Sequence, residues 1–211
     1  MLDNYLITTL ESLIIPSHEK MKIIWTVEGL KPIGVLETEY STEDLCRVLE
    51  EIGLQTRTIP PVLYSQHPHH IERMIVAMQQ EDDRALGILF GYPECCIDYY
   101  TRAKEAGKEP NRDEEQRIIG YLKQGLQPLP YFNSWVHCDN CLTDRESPSW
   151  LLEERMKEAL RKNSKSLYEE FMERKNAEYC LYRLPDGGEL LGLISGTKEE
   201  RTRVKAELGI E

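Results

Sequence analysis

The apolar positions of the first 65 residues fall into short blocks separated by turn residues. Residues 5–15 (YLITTLESLII) space their apolar side chains for a short helix. IIWTV at 23–27 and IGVLETEY at 33–40 are rich in β-branched and aromatic residues and predict two strands. The stretch Glu28-Gly29-Leu30-Lys31-Pro32 between them predicts a hairpin loop. A helix follows over 42–52, capped by Ser41 or Thr42, supported by Glu43 and Asp44 in its first turn, and stopped by Gly53. TRTIPPVLY at 56–64 is extended, with Pro60 and Pro61 confining it to an edge or to irregular structure.

From His69 the pattern becomes helical. IERMIVAMQQ at 71–80 is one helix, and Asp82 or Asp83 caps a second that ends at Phe90, with Gly91 in the left-handed position that favours glycine. Pro93 opens a third helix reaching about Ala106, since its missing N–H costs nothing in a first turn. Asn111 opens a fourth over 112–124, with Glu114 three residues on. Residues 127–149 are long and irregular; a structureless stretch of that length in a compact chain tends to be functional or disordered, and its aromatics and cysteine pair make this one ordered. Residues 149–177 are charged and helical, with a break near Asn163-Ser164. YCLYRL, PDGG and ELLGLI over 179–194 predict a hairpin turning around Asp-Gly, and a short helix closes the chain. These elements predict an α+β fold: a small antiparallel or mixed sheet followed by a predominantly helical middle and C-terminal part. The expected organisation is a small α/β part over 1–65, a helical part over 66–178 and a hairpin with a helix over 179–211, all compatible with one compact unit.

Composition narrows the function classes. Among 211 residues, 37 acids against 26 Lys and Arg give a net charge of −11, with no strong basic cluster. A phosphate-backbone binder needs a basic face, so nucleic acid is not the expected partner. No apolar run is long enough to span a bilayer, and the N-terminal stretch lacks the basic start and small-residue cleavage site of a leader. A cytoplasmic location is expected, without membrane attachment, and any protein partner would meet the acidic helices of 149–178.

In a reducing compartment six cysteines do not form a disulfide framework. Four of them occur as two tight pairs, Cys95-Cys96 and Cys138-x-x-Cys141, the second preceded by His137. The first pair falls in a helical first turn, where unpaired N–H groups and the helix dipole favour thiolate. The second has the spacing that lets two thiolates curl around one ion. Five candidate ligands, Cys95, Cys96, His137, Cys138 and Cys141, stand for four tetrahedral places. Successive helical residues point about 100° apart, so Cys95 and Cys96 reach one ion together only if it lies over the helix end. Cys₄ and Cys₃His both remain open. Zinc is favoured, with an iron–sulfur cluster or a metal-free redox dithiol as alternatives. Cys46 and Cys180 are read as small buried hydrophobes.

His67-Pro68-His69-His70 is a second candidate. Its plain reading is a loop and cap with solvated imidazoles; its functional one is ligation of a second ion or proton shuttling. Tyr92, Tyr99, Tyr100, Trp135 and Trp150 read as packing around the thiols. Glu94 and Asp98 are acid–base candidates that more simply complement a helix dipole. No phosphate-binding glycine loop, nucleophile elbow or His-Glu-x-x-His pattern occurs.

Leu86-Gly87-Ile88-Leu89-Phe90-Gly91-Tyr92-Pro93-Glu94-Cys95-Cys96, then Asn133 and His137-Cys138-x-x-Cys141, resembles an uncharacterised, largely archaeal domain family. Its members share a Gly-Tyr-Pro-x-Cys-Cys turn and a downstream His/Cys cluster. The resemblance covers roughly 85–145; the family spaces its second pair one residue wider, and it implies a site without a reaction. The expected function is metal binding that fixes 127–149 to the helix after Pro93. The alternatives are a metal- or thiol-dependent enzyme and a protein-interaction adaptor.

Overall fold

The computed structural model describes residues 4–37, 43–130, 135–183 and 189–208. The chain forms two compact units: Met1–Ile97 with Glu154–Tyr168, and Asp98–Glu153 with Glu169–Glu211. The fold is α+β, as expected, with one three-stranded and one two-stranded antiparallel sheet.

In the first unit, α1 (Asn4–Ser12) and α2 (Ser17–Val27) precede β1 (Gly34–Leu36), α3 (Glu43–Glu51), β2 (Gln55–Thr58), β3 (Val62–Ser65), α4 (Pro68–Gln80) and α5 (Asp83–Leu89). The predicted strand at 23–27 is helical, so there is no hairpin over 23–40. Met21, Ile23, Ile24, Trp25 and Thr26 are all buried. A short apolar run buried on every side has no period that separates helix from strand. Pro16 ahead of Ser17 marks the helix boundary, and Trp25 Nε1 donates to the Met156 carbonyl at 3.1 Å. The predicted caps Ser41 and Thr42, and the far end of the 33–40 strand, lie outside the described residues.

The sheet order is β1-β3-β2. The 56–64 stretch is thus two strands, and β3 is central, pairing Leu63 with Val35 on one side and with Arg57 on the other. Pro60 and Pro61 fall in the connection between β2 and β3, where a missing donor removes no ladder bond. Every residue of β3 is buried. Leu63 joins Ile33, Ile71, Met74, Ala77 and Leu89 in the core, which seats α4 and α5 on the sheet. Tyr64 lies across Gly34, where an added Cβ would meet the ring at 1.9 Å. Gly34 is required by that close approach, not by backbone conformation.

In the second unit, α7 (Pro110–Lys123) and α8 (Asp139–Thr143) precede β4 (Glu178–Arg183), β5 (Glu189–Ile194) and α11 (Lys198–Glu207). Three helices are divided between the units: α6 (Glu94–Glu105), α9 (Pro148–Asn163) and α10 (Lys165–Lys175). The boundary within α6 comes after its first turn. The irregular reading of 127–149 is corrected in part, because α8 and the start of α9 lie inside it. The cap of α7 also differs from expectation: Glu109 accepts from the Asn111 and Arg112 amides, which leaves Glu114 for another task. The predicted break falls where α9 ends, with Ser164 Oγ accepting from the Leu167 amide. β4 and β5 pair from Glu178↔Ile194 to Arg183↔Glu189; the Asp-Gly turn lies outside the described residues. Thr197 and Glu200 form a capping box on α11.

Candidate metal centre

The first cysteine pair is positioned by how α5 ends. Asp82 caps α5 by accepting from the Ala85 amide. At its other end the Tyr92 amide donates to the Gly87 carbonyl and the Gly91 amide to Ile88, both at 3.0 Å. With Gly91 at φ +75°, these bonds make a Schellman ending. A Cβ on Gly91 would press on the Leu30 carbonyl and Pro32 at 3.0 Å, so this turn packs backbone against backbone. Pro93 follows, and its carbonyl accepts from the Cys96 and Ile97 amides at 2.9 and 3.1 Å. Gly87 faces Ile97, where a Cβ would approach Cγ1 to 2.9 Å, so α5 and the start of α6 are in close contact. Cys95 and Cys96 therefore occupy the first turn of α6, as the sequence predicts.

The second pair is positioned by α8. Cys138 is its N-cap residue, in extended conformation, and Cys141 is its third residue. N-cap and third-residue side chains face each other at a helix start, the geometry that a capping box also uses. That is the physical content of the Cys-x-x-Cys spacing here. Cys141 is fully buried and Cys96 is 2% exposed, whereas Cys95 and Cys138 are half-buried.

The ligand atoms of Cys95, Cys96, Cys138 and Cys141 all lie within 4.8 Å of one another. Four sulfurs around one tetrahedral zinc, each about 2.3 Å from it, stand about 3.8 Å apart. The group thus needs to draw in by at most about 1 Å to close on an ion of that size. Cys95 and Cys96 belong to the first turn of α6, and Cys138 and Cys141 to the start of α8. The donor set fits a thiophilic cation.

His137, the fifth candidate, is not in that group of four. It is 4% exposed, and its Nδ1 lies 2.9 Å from Glu114 Oε1, which also accepts from the His137 amide at 2.6 Å. Glu114 is the first of three residues on one face of α7 that grip the chain around Cys138. Arg117 Nη2 donates to the His137 carbonyl at 2.7 Å and Nη1 to Asp139 Oδ1 at 2.9 Å. Tyr121 donates to the same Asp139 oxygen at 3.0 Å. Positions 114, 117 and 121 are spaced i, i+3, i+7 and so share a face. The Arg117 guanidinium lies over the Tyr99 ring of α6 at 4.2 Å. Tyr99 in turn donates to Asp113, which also binds Lys108 at 2.8 Å. Burial, then the Asp113 bond, pushes the Tyr99 phenol up to about 12. The Lys108 and Tyr99 bonds hold Asp113 below the usual carboxylate range. The sequence gives these three α7 residues no prominence; their helical spacing is the signal, and it acquires meaning only once residues 137–139 are placed beside them.

The remaining candidates are not among the four converging ligands. Glu94 is exposed and pairs with Arg84 at 3.2 Å, and Asp98 is half-buried. Tyr92 stacks on Phe90, with Lys31 Nζ 5.3 Å from its ring. Trp135 is buried with its ring 5.4 Å from that of His137, and Trp150 lies beneath Lys175 Nζ at 3.8 Å. Cys180 is buried and Cys46 half-buried. Asn133 lies outside the described residues. Among the described residues no helix is long and apolar enough to cross a membrane. The chain matches no family model, no curated protein and no solved structure.

Proposed function

We propose that this is a metal-binding protein in which Cys95, Cys96, Cys138 and Cys141 hold one zinc ion. The observation that carries this reading is the convergence of all four ligand atoms within 4.8 Å. Zinc is favoured over an iron–sulfur cluster because the sulfurs already stand close to the spacing of a single tetrahedral ion, and a cluster core of several atoms needs a wider cage. Four thiolates saturate a tetrahedral site, which suits a structural ion better than a catalytic one with an open place. The role supported by this chemistry is to fasten the 127–149 segment, through α8, to α6. Glu114, Arg117 and Tyr121 would orient the second pair as outer-layer groups do around metal ligands. The Gly-Tyr-Pro-x-Cys-Cys turn and the downstream His/Cys cluster would make the same centre the common feature of the family that this chain resembles.

The test is metal analysis and absorption spectroscopy on protein purified without oxygen. About one zinc per chain is expected, with no visible absorption. A brown protein moves the centre to iron–sulfur, and metal-free protein with all six thiols reactive sinks the metal reading. Chelation then separates structural from catalytic metal. A chain of this size folds largely by apolar burial, so removal should raise hydrogen exchange over 135–149 while β1–β3 and β4–β5 stay protected. Unchanged exchange, with a labile ligand on the bound ion, would favour a metal-dependent enzyme.

A further inference from the structure

The turn into α4 carries three of the five histidines of the chain within four residues. His67 is the N-cap residue, Pro68 the first helical residue, and His69 and His70 complete the turn. The three rings are in mutual contact: His69 and His70 centroids are 4.1 Å apart, and His67 lies 5.4 Å from His70 and 5.5 Å from His69. His67 and His69 are exposed and His70 is half-buried.

His70 differs from its neighbours in being anchored. Its Nδ1 lies 3.1 Å from the Pro32 carbonyl, which also accepts from Ser65 Oγ at 2.6 Å. A carbonyl oxygen only accepts, so Nδ1 carries the proton and Nε2 of the neutral ring holds the lone pair. Ser65 is fully buried and also accepts from the His67 amide at 3.1 Å, so one hydroxyl organises both ends of the turn. Burial and the neighbouring His69 lower the affinity of His70 for a second proton, against the opposing pull of the Pro32 bond. An Nδ1–H held by a backbone carbonyl, with Nε2 presented as donor, is the arrangement that supports metal-bound imidazoles. It is not what a merely solvated cap requires, and His67 makes no side-chain cap bond.

We propose that His67, His69 and His70 form a second, solvent-facing site for a divalent transition ion of the imidazole-binding class, such as Ni²⁺ or Zn²⁺. His70 is the fixed ligand. Among the described residues only the four thiols already stand as a converged ligand group; His67, one helical turn before His70, and His69 are exposed, and binding requires their rings to turn toward the ion. An all-imidazole set selects against Mg²⁺ and Ca²⁺, which take oxygen ligands. It is chemically distinct from the four thiols and does not rest on their reading.

The test is calorimetric titration of Ni²⁺ into the protein as purified, with zinc release followed in parallel by a chromophoric chelator. One Ni²⁺ per chain is expected to bind without zinc release, and His67→Ala or His69→Ala should weaken it about tenfold or more. His70→Asn keeps an N–H for the Pro32 carbonyl while removing the Nε2 donor, so it tests ligation and not folding. It should weaken binding at least as much. His18→Ala, remote in sequence from the turn, should leave Ni²⁺ binding unchanged. Absence of Ni²⁺ binding, binding indifferent to all three histidine changes, or zinc loss matching each Ni²⁺ taken up would overturn the proposal.

Discussion

Replacing Arg117 by Met tests whether α7 orients the second cysteine pair for the proposed ion. Methionine keeps most of the stem but removes the fork that donates to the His137 carbonyl at 2.7 Å and to Asp139 at 2.9 Å. A hydrogen bond from a charged group contributes about 1.5–3 kcal/mol. The Arg117 side chain is only 18% exposed, so its carbonyl bond keeps most of that value. Asp139 is 64% exposed, and solvent screens its share to below about 1 kcal/mol. The turn around Cys138 therefore loses roughly 2 kcal/mol of fixation. If the ion has to restore that order itself, its affinity falls by about 30-fold, since 1.4 kcal/mol is tenfold. That value lies inside the range of about 10–100-fold found when groups supporting metal ligands are removed. Competition for Zn²⁺ or Co²⁺ against a chromophoric chelator measures it directly. Arg117→Lys, which keeps charge but not the fork, should fall between wild type and Met. An affinity within threefold of wild type, with the helical circular dichroism intact, would show that the α7 contacts do not orient the thiolates.

Two further predictions concern buried charge. Burial, and then repulsion from Lys22, holds the Lys31 ammonium down at about 8 against an ordinary 10.5. The folded form thus binds fewer protons between those values, so stability rises with pH from about 8 to 10.5, and that gain is lost as pH falls back from 10.5 to 8. The fall from 10.5 to about 8 corresponds to about 3 kcal/mol, which urea unfolding of wild type against Lys31→Met should reveal as a steeper rise of stability with pH in wild type. A parallel pH dependence in both proteins would remove Lys31 as its source. In the second unit, Lys175 and Glu153 pair at 3.3 Å with side chains 5% and 0% exposed. Lys175→Met alone should destabilise by about 3–5 kcal/mol, whereas Lys175→Met with Glu153→Leu should recover most of the loss. A double variant as unstable as the single one would mean that the pair contributes attraction and not merely mutual neutralisation.

The parts of the site legible in the sequence were those written in local chemistry. Gly91 and Pro93 announce one helix ending and another beginning, so Cys95 and Cys96 fall in a first turn without any tertiary knowledge. The spacing of Cys138 and Cys141 likewise announces a shared ligand. What local pattern could not supply was the partner of each. Glu114, Arg117 and Tyr121 lie on a highly charged helix and look like a solvated face until residues 137–139 are laid against them. The spacing from Asn111 points Glu114 to its own helix cap, but Glu109 takes that place and frees it for His137. The error at 23–27 has a different origin. A β-branched run buried all round satisfies both a central strand and a core helix, and only the chain before it, from Pro16 onward, favours helix. In β3 the prolines misled because their effect falls on the preceding connection, which leaves the central strand with its donors.

The four sulfurs lie at unequal depth, and this sets an order of attack by oxidants. Cys95 and Cys138 are half-buried, while Cys96 and Cys141 are sealed from solvent. Peroxide or a thiol reagent meets the outer two first, and each helical turn keeps one protected sulfur beside one vulnerable sulfur. A sulfenic acid on Cys95 or Cys138 has neighbouring thiols within reach to condense with, which stops the lesion at a reducible disulfide before it advances to irreversible acids. The same packing that suits the cluster to a cation therefore gives the oxidised thiols a repairable form, recoverable by reductant.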